Sequence, residues 1–377
     1  MRPSRLLAIA GKEFIHVFRD PRSLGMAIGI PMVLLLLFGY ALTLDVDRVP
    51  MVVWDQSRTQ ASREFISRFT GSRYFSLVRF VDSPWAIERA IDVRDALLGV
   101  TIPSDFARQT EPGRVASVQI IVDGSDSNTA SIAMAYLRII GLTYSRDMAV
   151  YQAGRLGGTA VYVPVDMRLR AWFNTDMESR NFIFPGLIAV IMMIIAALIT
   201  SLTVAREWER GTMEQLISTP VRGSELILGK LIPYFAIGMF DVFLAFLMGE
   251  FLFRVPFRGS LALFFGMAAV FLAGTQSLGI LISVVSRNQL MASQLAMVLT
   301  FVPSFLLSGF MYAIANMPQP IQLITYLVPA RYFISLLRGV YLKGVGLQIL
   351  AAEAALLTAF SAAMVVLALV MFKKKLE

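Results

Sequence analysis

Polar positions crowd into a few parts of this chain and leave others empty of charge. Leu24 to Leu44, Phe182 to Ala205 and Gly259 to Ser286 carry no charged residue. Leu231 to Phe253 is broken only by Asp241 and Glu250, and Val345 to Phe372 only by Glu353. Asn288 to Ala330 is uncharged for 43 residues but holds Pro303, Pro318, Pro320 and Pro329. A bilayer core takes roughly 20 apolar residues per helical span, so the pattern predicts six transmembrane helices. The first stretch lacks a small-residue cleavage site before Asp45 and reads as a retained anchor.

Before that anchor, in residues 1–22, Leu6, Ala10, Phe14, Val17 and Phe18 recur at helical spacing, while Arg5, Lys12, His16 and Arg19 take another face. This predicts an amphipathic helix on the membrane surface, ended by "RDPR", where Asp20 can cap and Pro21 can open the span of residues 23–44. The lone His16 reads as part of the basic face rather than as a ligand.

Residues 45–180 alternate strand and helix. "VPMVVW", "YFSLVRFV", "ALLGVTI" and "ASVQIIV" predict four strands. Ser57 to Thr70, a helix opened by Ser83 and Pro84, a short one capped by Ser104 and a long one from about Ser127 to Tyr151 predict the helices between and after them. The stretch "DGSDSN" offers Asp123, Asp126 and Asn128 as oxygen ligands, but its spacing departs from a calcium loop, and turn and cap chemistry accounts for every residue. No metal site is expected.

Composition sharpens this picture. With 56% hydrophobic residues, 16% charged and a mean hydropathy of +0.67, the chain is an integral membrane protein rather than a soluble domain. Its formal charge of +8 is unevenly placed: residues 45–180 hold 16 arginines and 16 acids, so the excess belongs to the remainder. The basic tails, Arg2 to Arg22 and Lys373 to Lys375, predict that both ends are cytoplasmic and that residues 45–180 form an extracytoplasmic α/β domain inserted between helices 1 and 2. A nucleic-acid footprint would cluster on the soluble part and does not. The absence of cysteine excludes a disulfide framework and thiolate metal sites.

Within residues 181–377, one charged knot stands between two spans. "AREWERGTMEQL" places Arg206 and Glu209, and Glu207 and Arg210, at i, i+3. Gly211 is suited to end the helix, and Thr212 with Gln215 has the form of a capping box, so a second short helix is expected before Pro220. The loop from Arg206 to Lys230, which contains the segment of residues 206–225, is balanced in charge with four basic and four acidic residues, unlike a lysine-rich lipid-gripping segment. The residues alone leave two readings open: a solvated connection, or a docking surface for protein.

The sequence "AREWERGTMEQL" resembles the signature of the ABC-2 family of exporter permeases. "FRDPRSL", "FGYAL", "IPSDF", "DGSDSN", "NFIFPGL", "LLSGFMY" and "PARYFISLLRGVYLKG" extend the similarity along nearly the whole chain, with an order and length like those of the YbhS-like and YhhJ-like drug-efflux branch. The resemblance implies that Glu207, Glu209, Arg210, Gly211, Thr212, Glu214 and Gln215 form the coupling interface with an ABC ATPase subunit, and that the N-terminal helix is the connecting helix. Lys12 or Arg19 is then expected to pair with Glu207 or Glu209. A second permease chain, identical or sister, is implied as a partner, and a periplasmic adaptor and outer-membrane channel are suggested by the branch, with drugs or other amphiphiles as cargo and the bacterial inner membrane as location.

The chain itself carries no nucleotide motif: "GSELILGKL" has five residues between its glycines where a phosphate loop has four, and Leu231 where Ser or Thr would hold magnesium. ATP and magnesium are therefore expected on the partner, no cofactor on this chain, and no bond chemistry here. An ion-gradient-driven transporter is the alternative, because Asp241 lies near the middle of a span, where charge is costly. Gln276 and Gln294 are its candidate partners in the pathway or an interface. A receptor or scaffold using the inserted domain is a third reading. Arg331 and Arg338 fall in residues 312–344, where the prolines and the family similarity together lead to an expectation of re-entrant helices forming an outer gate.

Overall fold

The computed structural model describes residues 3–42, 47–110, 115–155, 173 and 178–372. The chain divides into two compact units, Met1–Thr43 with Arg170–Glu377, and Leu44–Leu169. The expected basic tail Lys373 to Lys375 and the side chains of His16 and Asn128 lie outside the described residues.

In the helical unit, α1 (Pro3–Arg19) is the expected amphipathic helix, but its faces are dealt differently. Ala10, Glu13 and Val17 are buried at helical spacing, whereas Leu7, Ile15 and Phe18 are exposed. The buried stripe packs on α10 (Gly223–Leu247), and the exposed apolar residues form a separate face. The chain restarts at Pro21 as α2 (Pro21–Leu24), passes through a π-helical turn at Gly25–Gly29 and continues as α3 (Ile30–Ala41).

The second unit is a small α/β fold. Strands β1 (Val49–Asp55), β2 (Phe75–Phe80), β3 (Leu98–Ile102) and β4 (Gln119–Val122) form one sheet of order β2-β1-β3-β4. β1 pairs in parallel with β2 and β3, and β4 closes the edge antiparallel to β3. The parallel pairs require crossovers, supplied by α4 (Gln60–Thr70) and α5 (Pro84–Asp92). Helix α4 starts later than expected, capped by Thr59, whose side chain accepts from the Ser62 N–H. Ser83 caps α5 as expected. Ser104 does not cap α6 (Phe106–Gln109); Asp105 occupies the cap position and accepts from Gln109 Nε2 at 2.8 Å. In the "DGSDSN" turn, Asp123 accepts from the Ser125 N–H at 2.9 Å and Asp126 from the Thr129 hydroxyl at 2.5 Å, opening α7 (Ser127–Arg155). The Ser125 hydroxyl also holds the Asp123 carboxyl below its ordinary range.

Beyond the α/β unit, α8 (Ser179–Glu209) is apolar all round and buried along most of its length, as expected of a helix at the centre of a bundle. It packs against α3, α10, α11 (Leu261–Ser286), α12 (Gln289–Val302) and α14 (Pro329–Arg338). Gly279 of α11 permits a tight approach, since a Cβ there would stand 2.0 Å from Thr200 Oγ1. α9 (Thr212–Ser218) is the short helix between α8 and α10. Among the described residues five helices are long and apolar enough to cross a bilayer: Ser179–Glu209, Gly223–Leu252, Leu261–Ser286, Gln289–Leu307 and Ala351–Met371, the last being α15. The expected first span forms only the shorter pieces α2 and α3 about the π-helical turn. The proline-rich stretch forms α13 (Gln319–Ile324) and α14, and the pair Gln319–Leu327 and Pro329–Lys343 is bent by 87°.

Candidate functional site

The charged knot folds as an elbow. Gly211 takes φ +67°, a left-handed conformation that suits glycine, so the chain reverses between α8 and α9. Thr212 is the first residue of α9 and makes no capping box with Gln215; its hydroxyl donates instead to the Glu207 carboxylate. Met213 is buried, and with Leu216 it joins Val204, Leu226, Ile227 and Ile280 in a small apolar cluster that anchors α9. Arg210, Gly211, Glu214 and Gln215 face outward. The elbow is thus fixed on one side and displays charge on the other.

Where pairing along a single helix was expected, the two glutamates of the elbow take partners from other elements. Glu209 accepts from the Gln289 backbone N–H at 2.8 Å and from its side-chain amide, tying the elbow to the start of α12. Glu207 accepts from Lys230 Nζ at 2.9 Å and stands 3.8 Å from Lys12 Nζ. Lys230 also donates to Glu13 at 2.6 Å. Lys230 is 2% exposed and Glu13 4%, so a buried ammonium on α10 is held between a carboxylate of α1 and one of α8. Removing a cation from water is costly unless its partners are close and hydrogen-bonded, and here both are. Arg5 adds a donor to the Pro220 carbonyl beyond α9.

The expected tie between the N-terminal helix and the elbow is therefore present as Lys12 with Glu207, while Arg19 is exposed and forms no ion pair among the described residues. Its principal members, Glu13 and Lys230, escaped sequence reasoning. The available signal was a carboxylate in step with the apolar stripe, three residues after Ala10 and four before Val17. "GSELILGKL" is helical throughout and contributes Lys230 to this clamp rather than a phosphate loop.

The other candidates fall elsewhere. Asp241 and Gln276 are both buried and line one enclosed space of about 10 Å³ between α8, α10 and α11. Gln276 donates to the Tyr234 carbonyl at 2.9 Å, and among the described residues neither Gln276 Oε1 nor Asp241 Oδ1 has a hydrogen-bond partner. Gln294 is exposed on α12 and does not join them, because its side chain faces away from the bundle with Leu295. Arg331 stacks 3.8 Å from the Tyr326 ring and donates to Thr325 within the bent pair. Arg338 lies 3.5 Å over the Phe182 ring and donates to the Gly309 carbonyl at 3.1 Å, which fixes α14 to the start of α8. No group of three or more metal-ligating side chains occurs among the described residues.

Residues 21–370 match the family described as ABC-2 family transporter protein. The chain is 39% identical over 346 residues to the probable multidrug ABC transporter permease YbhS of Escherichia coli (strain K12), spanning 90% of this chain and 89% of the relative. It is 32% identical over 345 residues to the probable multidrug ABC transporter permease YbhR of the same organism, covering 92% of each. To the inner membrane transport permease YhhJ it is 25% identical, over 86% of this chain and 85% of the relative. With apolar helices able to cross a bilayer and a match over nearly its whole length, this chain belongs to the ABC-2 family of transporter proteins, as a multi-pass membrane permease subunit of an ABC exporter.

Proposed function

We propose that the elbow of α8 and α9 is the surface on which a separate ABC ATPase docks, and that the Lys230 clamp carries the ATPase's motion into the bundle. The observation that carries this reading is the two-sided construction of α9: Met213 is buried beneath it while Glu214 and Gln215 stay exposed. A helix so anchored can transmit displacement to α1 and α10 through Glu207, Lys230 and Glu13. ATP and magnesium belong to the partner, and this chain supplies the pathway. Six spans, the first apolar segment plus the five long helices, put both termini in the cytoplasm and the α/β unit outside, with the bent pair re-entrant and Arg331 and Arg338 bracing an outer gate. A second permease chain, identical or sister, completes the pathway in the bacterial inner membrane. The names of YbhS and YbhR support drugs or other amphiphiles as cargo, and a periplasmic adaptor with an outer-membrane channel would extend the route outward.

The test is purification of the tagged chain from its native membranes. Wild type is expected to retain a P-loop ATPase, and Glu214→Arg to lose it at least tenfold while keeping the wild-type melting profile. Equal recovery of the ATPase with both proteins would remove α9 from the interface.

A further inference from the structure

The turn between α11 and α12 grips the tip of α8 at two heights. Ser283, fully buried on α11, accepts through its hydroxyl from the Val204 N–H at 3.0 Å and the Ala205 N–H at 2.9 Å. One turn further along α8, the Glu209 carboxylate accepts from the Gln289 N–H and side-chain amide, and Arg206 Nε donates to the Gln289 amide oxygen at 3.4 Å. Between these points Arg287 turns the chain at φ +52° and sets its guanidinium 4.9 Å from the centre of the Trp208 ring. Gln289 is the first residue of α12, so its N–H is one of the donors that a helix cannot satisfy by itself. A carboxylate supplied there by another helix also complements the positive end of α12.

Further along, α12 is held more lightly. Its buried stripe is Ala292, Ala296 and Thr300, and the first two cluster with Ala205 of α8 and Ile282 of α11. Leu290, Met291 and Val298 are exposed. The Ser293 and Thr300 hydroxyls donate back to the Leu290 and Ala296 carbonyls, within α12 itself. Side chains as small as alanine interlock little, and helices packed through them can shift past one another by small steps. Among the described residues, the polar ties of α12 to α8 are thus gathered at Gln289, beside the elbow.

We infer that Glu209 is a positioning residue of the transport cycle: it carries displacement of the elbow into α12, as a second output beside the Lys230 clamp to α1 and α10. The inference rests on the proposed docking of the ATPase on α9, and it removes one of the charges expected at that interface. Both carboxylate oxygens of Glu209 are engaged by Gln289, which leaves Glu214 and Gln215 to face the partner. Pulled at its first residue, α12 moves as a lever against α8, while α11, pinned through Ser283, stays with the centre of the bundle.

The experiment uses the full complex, purified with its ATPase and reconstituted in lipid nanodiscs. The chain contains no cysteine, so Val298→Cys, on the exposed face of α12, gives it a single site for a bimane label, with the cysteine-free chain as background. ATP with vanadate is expected to shift the bimane emission. Adding Glu209→Ala should cut that shift by about fivefold or more, while the melting profile is unchanged and ATPase recovery stays within about twofold. Gln289→Glu, which sets two carboxylates against each other, carries the same expectation. Combining Gln289→Glu with Glu209→Gln exchanges donor and acceptor between the two side chains and should restore most of the shift. No shift in the Val298→Cys complex, or a full shift after Glu209→Ala, would overturn the inference. Loss of the ATPase with Glu209→Ala would overturn it too, by returning that carboxylate to the docking surface. Equal ATPase recovery with Glu214→Arg strikes instead at α9 as the docking site, and the emission of the α12 label is read separately from it.

Discussion

The two units of this protein handle charge in opposite ways. In the α/β unit the ion pairs are solvated: Arg79 and Asp95 meet at 3.1 Å with half of each side chain exposed, and Arg58 and Asp82 are more open still. In the helical unit Lys230 and Glu13 meet at 2.6 Å with almost no exposure. Water already satisfies the first kind, so forming the pair changes little. The second kind has no solvent to fall back on, and each member depends on the others being present. The same chemistry is therefore optional in the α/β unit and obligatory at the Lys230 clamp of the helical unit.

That contrast can be broken most directly at Lys230. Lys230→Met leaves Glu13 and Glu207 facing each other without their cation and is expected to cost about 3–5 kcal/mol, read from unfolding of the purified chain in mixed detergent. Adding Glu13→Gln and Glu207→Gln should recover most of that loss; if the single variant is as stable as wild type, the clamp is not structural. Lys12→Ala, at 3.8 Å from the same carboxylate but 62% exposed, should cost less than about 1 kcal/mol, in the range of solvated pairs. Its effect should shrink further as salt is raised. Smallest of all is Arg79→Ala combined with Asp95→Ala: the coupling from a double-mutant cycle is expected at about 0.2–0.5 kcal/mol. A coupling as large as that of the clamp would erase the distinction between the units.

Much of the architecture was legible because it follows from local pattern. Five of the six apolar stretches became long helices, the first being broken into shorter pieces, and the four strands, with the helices that cross between them, lie close to their expected positions, since alternation and Ser-Pro starts are read residue by residue. The elbow was legible for the same reason, through Gly211 and Pro220. What stayed hidden depends on contacts across long separations. Glu13 and Lys230 are 217 positions apart, and Lys230 reads locally as one basic residue of a balanced loop. Thr212 has the spacing of a cap, but Glu207 competes for its hydroxyl once the elbow closes. Which face of α1 is buried was also beyond periodicity, because two apolar faces fit the same helix and only α10 chooses between them.

The place of the α/β unit in the chain has a consequence in time. α3 packs on α8, and Gly39 lies against Phe253, yet the residues from β1 to the end of α7 must be synthesised before either partner exists. At about 5–20 residues per second, α3 waits on the order of ten seconds or more for α8, and longer for Phe253. On the proposed six-span topology it has to persist in lipid during that interval without its neighbours. Its composition allows this: apart from the prolyl start and one glycine, every side chain from Ile30 to Ala41 is an aliphatic, aromatic or thioether group that tolerates hydrocarbon on any side.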